Sequence, residues 1–198
     1  VVGDGITAVG KNAFSTCPNL SRITFGRDVT SLGMDAFAYC GTVELNLAAE
    51  YMMDNLFAER LEADDLLPIY EGGYRYLLVE TTGFTPPMNL LPVLKRIQTK
   101  GYRPLLAHPE RYLYMGTSYY CMLKQEQVAF QLNLPSLTGA YGTYIQKKAV
   151  SLLKAGMYDL TGTDTHSSKH FKEWLGTRIG SRDRDMLWAH FPACRDGL

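Results

Sequence analysis

The first 45 residues carry a repeated pattern of apolar and polar positions. A shift of 23 residues superposes eight positions: Ile6 on Val29, Thr7 on Thr30, Val9 on Leu32, Gly10 on Gly33, Ala13 on Ala36, Phe14 on Phe37, Cys17 on Cys40 and Leu20 on Val43. A period in the twenties is typical of solenoid coils, which bury their apolar side chains by stacking on neighbouring coils. The sequence therefore predicts two repeats of 23 residues in residues 1–45, with Cys17 and Cys40 buried as small apolar side chains.

From residue 46 onward the pattern changes to alternating helices and strands. Helical spacing of apolar residues predicts three helices, in "NLAAEYMMDNLFAERLEA", "NLLPVLKRIQTKG" and "YIQKKAVSLLKAGM". Apolar runs that end at a polar residue predict four strands: "YRYLLVE" to Glu80, "RPLLAH" to His108, "VAFQLN" to Asn133 and "YDLTGTD" to Asp164. These strand ends lie 28, 25 and 31 residues apart, as expected of successive βα units in a parallel sheet.

Polar residues at the carboxyl ends of parallel strands converge on the face where α/β sheets and barrels keep their active sites. Glu80, His108, Asp164 and His166 offer carboxylate and imidazole ligands, a combination that suits manganese, iron or zinc. Such metals lower the pKa of a bound water and hold phosphoryl oxygens, which is hydrolytic chemistry. Arg111 lies three residues beyond His108, where it can bind a substrate phosphate.

Each of these residues also has a structural interpretation. A single His or Asp at a strand end is commonly a cap, a turn residue or a surface residue. We expect that interpretation for His170 and His190, and solvated loop positions for Glu110 and Asp159. The segment "YLYMGTSYY" is either a binding lip or a loop with packed aromatic side chains, and packing is favoured. Alternating charges in the tail after "GTDTH" indicate a short helix or a frayed end.

Composition narrows the class of protein. Twenty basic residues balance twenty acidic ones, and 46% of the residues are hydrophobic, as in ordinary soluble globular proteins. No cluster of Lys and Arg supports nucleic-acid binding, and the apolar runs are shorter than the roughly 20 residues of a membrane span. Four cysteines without a CxxC pair, and an opening segment without signal-peptide features, favour a reduced, cytoplasmic protein, although a disulfide remains open.

Two family resemblances follow from these motifs. The repeat "I-T-x-V-G-x-x-A-F-x-x-C-x-x-L" resembles the leucine-rich repeats of bacterial surface antigens. The motifs "AAEYMMD", "LLVE", "KGYRPLLAHPERY", "FQLNLPSLTGAYG" and "GMYDLTGTDTH" resemble, in order and spacing, the bacterial metal-dependent protein-tyrosine phosphatases of the polymerase and histidinol phosphatase (PHP) superfamily, which belong to capsule and exopolysaccharide operons. The resemblance implies an α/β barrel, manganese ions, metal-ligand roles for Glu80, His108, Asp164 and His166, and phosphate binding by Arg111.

The resemblance is incomplete at its start. Family members begin with an His-x-His strand, a nearby Asp and a further His, whereas all four histidines here lie at or after position 108. Residues 46–198 are also fewer than the about 250 of a complete (β/α)8 barrel. We therefore expect a partial (β/α) barrel of the PHP type in residues 46–198, lacking its first strands.

Two functions remain open at this point. The first is metal-dependent hydrolysis of phosphotyrosine on proteins, impaired by the missing ligands, with a bacterial tyrosine kinase as the substrate that the resemblance implies. The second is a non-catalytic interaction scaffold that combines the repeats with a relic phosphatase domain. In either case, the barrel edge exposed by the missing strands favours a homo-oligomer.

Overall fold

The computed structural model describes residues 5–166 and 177–191 of the 198-residue chain. These residues form two compact units: residues 5–48, 163–166 and 177–191 belong to the first, and residues 49–162 belong to the second. His170 and Cys194 lie outside the described residues. In the part of the chain that is described, no helix combines the length and apolar character needed to cross a membrane.

The first unit contains four short strands: β1 (Ala8–Val9), β2 (Arg22–Phe25), β3 (Ser31–Leu32) and β4 (Glu44–Leu47). β1 pairs with β3 and β2 pairs with β4, both in parallel. Ala8 lies opposite Ser31, so equivalent positions of the two repeat copies are neighbours in this ladder.

Equivalent side chains of the two copies also pack against each other. The rings of Phe14 and Phe37 are stacked, with centroids 5.4 Å apart and planes 5° apart. The core of the unit consists of Val9, Ile23, Phe25 and Ala36. Cys40 is buried, as predicted, whereas Cys17 is only half-buried, and both are free thiols. Of the two alternatives predicted for the tail, a short helix or a frayed end, the structure shows the helix, α5 (Ser181–His190).

The second unit contains a six-stranded sheet made of β5 (Glu50–Met52), β6 (Ile69–Glu71), β7 (Tyr74–Glu80), β8 (Arg103–Ala107), β9 (Ala129–Asn133) and β10 (Leu160–Gly162). The order β10-β9-β8-β7-β5 is parallel throughout, as predicted for the four strands β7 to β10, and β6 pairs antiparallel with the first half of β7. In the described residues this path does not close into a ring.

Four helices connect these strands: α1 (Asn55–Ala63), α2 (Leu90–Thr99), α3 (Thr117–Gln125) and α4 (Thr143–Lys154). α2 and α4 confirm two of the predicted helices. α2 buries Leu90, Leu94 and Ile97 along one face, and Gly101, with φ +82°, lies just beyond its end as predicted. The tyrosine-rich segment "YLYMGTSYY" has packed aromatic side chains, as favoured by the sequence. Tyr112 and Tyr120 are almost fully buried, and the second half of the segment forms the start of α3.

The first predicted helix is wrong over its N-terminal half. Residues 46–54 include the end of β4 and all of β5, and α1 begins only at Asn55. Asp54 caps this helix, because its carboxylate accepts a hydrogen bond of 2.8 Å from the Phe57 N–H. Long-range pairing of β5 with β7 decides the conformation here, and local apolar spacing does not reveal that pairing. The correction matters for function, because it places Glu50 in a strand.

Candidate metal centre

Three side chains of the metal-ligand type meet at one place in the second unit. Glu50 begins β5, Glu80 ends β7, and His108 follows β8 directly. The His108 Nε2 atom lies 3.4 Å from Glu50 Oε1 and 3.4 Å from Glu80 Oε2. The structure thus brings two of the predicted ligands together and adds a third carboxylate-bearing residue, Glu50, that the sequence analysis did not single out.

The separations within this cluster fit a shared divalent cation. Ligand atoms about 2.1 Å from one ion, at angles of about 90–109°, lie about 3.0–3.4 Å apart. A regular N–H···O hydrogen bond is shorter than the 3.4 Å observed. His108 is 4% exposed, and neither of its ring nitrogens has a regular hydrogen-bond partner among the described residues. Such an orphaned buried imidazole beside two carboxylates fits a manganese, iron or zinc ion.

The charges of the cluster also favour a cation. Burial lowers the pKa of His108, but the carboxylates of Glu50 and Glu80 outweigh burial and raise that pKa to about 9. The positive charge of Arg111 opposes the rise. Near neutral pH, therefore, the two carboxylates hold a proton on the ring, in the place that a metal ion would take.

The backbone at His108 forms a sharp turn. Its φ of 34° and ψ of 54° are in the left-handed region, which costs a non-glycine residue roughly 1–3 kcal/mol. The Arg111 N–H donates a 2.9 Å hydrogen bond to the His108 carbonyl, which closes a 3₁₀ turn over Pro109–Arg111. The guanidinium carbon of Arg111 lies 4.7 Å from the centroid of the Tyr141 ring. The turn thus places both the imidazole of His108 and the guanidinium of Arg111 just beyond the carboxyl end of β8.

Tyr112 ties this turn to the loop after β7. Its buried hydroxyl accepts a 3.3 Å hydrogen bond from the Thr81 N–H, next to Glu80. Its ring centroid lies 5.7 Å from that of His108, and its carbonyl accepts a hydrogen bond from Lys148 Nζ. Burial raises the pKa of Tyr112 well above the ordinary value, so the phenol stays neutral. Tyr112 therefore fixes the relative positions of Glu80 and His108.

The prediction that Glu110 lies on a solvated loop is wrong. This side chain is fully buried, and its carboxylate accepts hydrogen bonds from the Asn133 N–H at 3.2 Å and from the Tyr158 hydroxyl at 3.0 Å. Burial raises the pKa of Glu110. The hydrogen-bond partners of Glu110 lie 23 and 48 residues further along the chain, so its burial is visible only in the tertiary fold.

Asp159 is likewise not on a solvated loop. Its carboxylate accepts a 2.8 Å hydrogen bond from the Phe130 N–H and forms ion pairs with Lys124 and Arg103. Its side chain is only 22% exposed. These contacts join the segment before β10 to β9 and α3, so the role of Asp159 is structural.

The last two predicted ligands follow β10. Asp164 lies two residues beyond that strand, in the first unit, and its φ of 48° is again in the left-handed region. The His166 Nδ1 atom lies 3.3 Å from Asp164 Oδ1 and 3.1 Å from the Asp164 carbonyl oxygen. The structure brings these two residues together, and their role as metal ligands stays a prediction.

Asn133 ends β9 as predicted, and it is almost fully buried. Its side-chain amide has no hydrogen-bond partner in the part of the chain that the structure describes. An unsatisfied buried amide is costly, and nearly all buried polar groups of native proteins have a hydrogen-bond partner.

Glu50 shows what the sequence analysis missed. The residue lies in the motif "AAEYMMD", which contributed to the family resemblance but was assigned to a helix. Had that motif been interpreted as a strand beside the strand that ends in Glu80, Glu50 would have been identified as a candidate ligand.

Comparison with known proteins identifies the family and supports the fold. Residues 25–177 match the family model described as "Capsular polysaccharide synthesis, CpsB/CapC". Tyrosine-protein phosphatase YwqE of Bacillus subtilis (strain 168) is 28% identical over 97 residues, which are 48% of this chain and 38% of that protein. CapC of Staphylococcus aureus is 28% identical over 95 residues, which are 47% of this chain and 37% of that protein.

A solved structure shows the same fold. It is a chain from the crystal structures of YwqE from Bacillus subtilis and CpsB from Streptococcus pneumoniae, described as unique metal-dependent tyrosine phosphatases. The TM-score is 0.59 at 22% identity, over 75% of this chain and 58% of that one. The present chain matches less than two fifths of the length of its curated relatives. Because the family model matches most of the sequence, the chain belongs to the capsular polysaccharide synthesis family CpsB/CapC.

Proposed function

We propose that this chain hydrolyses phosphotyrosine on proteins with the help of a divalent metal, in the control of capsule or exopolysaccharide synthesis. The observation that carries the proposal is the buried His108 ring, 3.4 Å from the carboxylates of both Glu50 and Glu80. The names of the relatives, a tyrosine-protein phosphatase and metal-dependent tyrosine phosphatases, support the reaction.

The proposed metal is manganese, and the proposed ligands are Glu50, Glu80, His108, Asp164 and His166. Oxygen and imidazole donors together suit this ion. Asp164 and His166 are included because β10 is parallel to β9, and the chain passes Asp164 directly after that strand.

Bound at these ligands, the metal would supply an activated water and charge neutralisation for the phosphoryl group. The residues of the chain contribute binding and orientation. His108 must lose its proton to present a lone pair to the metal, and the carboxylate oxygens of Glu50 and Glu80 are the neighbouring ligands. Arg111 donates the paired N–H groups of its guanidinium to the phosphate oxygens, which holds the phosphorus in place and offsets its charge. The Tyr141 ring, 4.7 Å from that guanidinium, orients it.

The wider architecture is proposed on the same basis. We assign residues 1–45 to leucine-rich repeats of the bacterial surface-antigen type, since the two copies pair in parallel. Residues 46–198 are assigned to a truncated PHP-type phosphatase domain, whose open sheet is part of a (β/α) barrel. We propose a cytoplasmic protein that forms a homo-oligomer, with a bacterial tyrosine kinase as its substrate.

A second candidate function is an interaction scaffold with a relic phosphatase domain. It is favoured by two large apolar side chains that stay exposed on β4, Leu45 at 49% and Leu47 at 47%. Apolar side chains on an exposed strand are a common feature of protein interaction surfaces.

Turnover of p-nitrophenyl phosphate separates the two functions. The phosphatase proposal predicts hydrolysis that requires added Mn²⁺ and falls at least about a hundredfold in Arg111→Ala, because the variant lacks the phosphate-binding guanidinium. Elemental analysis of the purified chain is the companion measurement. Activity no higher than that of Arg111→Ala, together with less than one tightly bound metal ion per chain, would favour the scaffold.

A further inference from the structure

Tyr141 contacts Arg111 and is also open to solvent. The guanidinium carbon lies 4.7 Å from the ring centroid, yet the residue is 40% exposed. Tyr141 belongs to a tight turn in which the Gly142 N–H donates a 2.9 Å hydrogen bond to the Gly139 carbonyl. Both glycines have positive φ, 83° and 88°, a conformation that other residues adopt at a cost. The turn therefore holds an aromatic ring beside the proposed phosphate-binding group.

A second exposed ring lies on the loop after β7. The Gly83 carbonyl of this loop accepts a 2.9 Å hydrogen bond from the Leu113 N–H, and a Cβ on Gly83 would come 3.6 Å from the Arg111 carbonyl oxygen. This close approach places the loop against the turn that carries Arg111. Phe84 follows directly and is 82% exposed. Large apolar side chains so open to solvent beside a site are typical of ligand-binding surfaces.

We propose that Tyr141, assisted by Phe84, binds the phenyl ring of a phosphotyrosine side chain and thereby selects aryl over alkyl phosphate esters. The inference rests on the proposed function, because it requires Arg111 to bind the phosphate. In an aryl phosphate the ring is joined to the phosphorus through a single oxygen atom, so a phosphate bound by Arg111 brings that ring close to the ring of Tyr141. Aromatic pairs with centroids about 4.5–7 Å apart gain energy beyond the area they bury. An alkyl phosphate has no aromatic ring and cannot form this contact.

Binding of two phosphonates that cannot be hydrolysed tests the proposal without turnover. Calorimetric titration in the presence of Mn²⁺ compares phenylphosphonate with methylphosphonate. The wild-type chain is expected to prefer phenylphosphonate, by roughly three- to tenfold from ring stacking. Tyr141→Ala should lose most of this preference and Phe84→Ala part of it, whereas Tyr141→Phe should keep it, because the ring remains.

The matched control is Tyr74→Ala. Tyr74 is 52% exposed and has the Arg103 guanidinium carbon 4.8 Å from its ring centroid, but it begins β7, at the opposite end from Glu80. This variant removes the same kind of side chain and the same kind of cation–π contact, and it should keep the wild-type preference.

Three outcomes would overturn the inference. Equal affinity of the wild-type chain for the two phosphonates would show that no ring is recognised. A proportional loss of both affinities in Tyr141→Ala would show that Tyr141 only positions Arg111. Absence of binding by either phosphonate would overturn the proposed function as well. Binding with ring preference, in a chain that does not hydrolyse p-nitrophenyl phosphate, would reject only the proposed reaction.

Discussion

His108 is central both to the geometry of the candidate metal centre and to its protonation. Its buried ring lies 3.4 Å from two carboxylates that come from different strands, and its backbone has a left-handed conformation that the turn toward Arg111 requires. The same carboxylates that would share a metal ion keep a proton on the ring in its absence. Metal and proton therefore compete for one site.

This competition predicts how metal affinity depends on pH. Because the pKa of His108 in the folded chain is raised from 6.5 to about 9, the ring is protonated at neutral pH, and an incoming ion must displace the proton. The apparent affinity for Mn²⁺ should rise by up to about tenfold per pH unit between about pH 7 and 9 and then level off. Calorimetry in buffers that do not bind metals measures this slope.

Glu80→Gln provides the control for that slope. It removes one of the carboxylates that raise the pKa of His108, so the plateau should begin at a lower pH, at a weaker overall affinity. An affinity for Mn²⁺ that is the same at pH 7 and pH 9 in the wild-type chain would contradict the assignment of His108 as a ligand.

Glu110 gives a prediction about stability and its pH dependence. Glu110→Ala leaves the Asn133 N–H and the Tyr158 hydroxyl without their acceptor, which should lower the free energy of unfolding by about 1–3 kcal/mol. Glu110→Gln keeps an acceptor and removes the charge. Because burial raises the folded-state pKa of Glu110, its contribution is fully present below the unfolded pKa and is lost as pH rises through the raised value.

The free energy of unfolding of the wild-type chain should therefore fall relative to that of Glu110→Gln as pH rises from about 4.5 through the raised pKa of Glu110. Urea unfolding of both chains at a series of pH values measures this difference and cancels the titration of the other groups. A difference that does not change with pH would show that Glu110 is not buried as an ionisable group.

Among the elements, β7, β8, β9 and α2 were predictable because local signals and tertiary packing agree. Their apolar runs are long enough, and polar residues or a glycine mark their ends. β5 was not predictable, because it has three residues and exists only through its pairing with β7. Its neighbours have apolar residues at helical spacing, so the local pattern indicated a continuous helix. The ligand-type residue Glu50 was missed for this reason.

The two copies of the repeat allow a matched test of how they pack. Gly10 and Gly33 occupy equivalent positions, but a Cβ at Gly33 would lie 2.5 Å from the Gly10 carbonyl carbon and 2.5 Å from the Lys11 nitrogen. A Cβ at Gly10 would meet nothing within 4 Å. Gly33→Ala should therefore destabilise the chain by about 1–3 kcal/mol, because backbone atoms of the first copy would have to move.

Gly10→Ala should cost little, because the added methyl group has open space and reduces the entropy of the unfolded chain. Thermal unfolding followed by circular dichroism compares the two variants. Equal effects of the two substitutions would contradict the close packing of the second copy on the first.

For the whole molecule, the sequence predicted the α/β class, the parallel order of the last four strands and the family. The sequence did not predict how residues group into compact units, because residues 163–166 and 177–191 group with residues 5–48, which are distant in the sequence. That grouping depends on tertiary contacts that leave no local pattern. The burial of Glu110 was missed for the same reason.

The most direct test of the account is the binding of Mn²⁺ to the purified chain, followed by electron paramagnetic resonance of the free ion. The account predicts at least one bound ion per chain, and an affinity about 10- to 100-fold weaker or worse in His108→Ala, because a buried ligand is lost. Tyr74→Ala, which changes the opposite end of β7, should bind as the wild type does. A wild-type chain that binds no Mn²⁺, or binds it no better than His108→Ala, would contradict the existence of this metal centre.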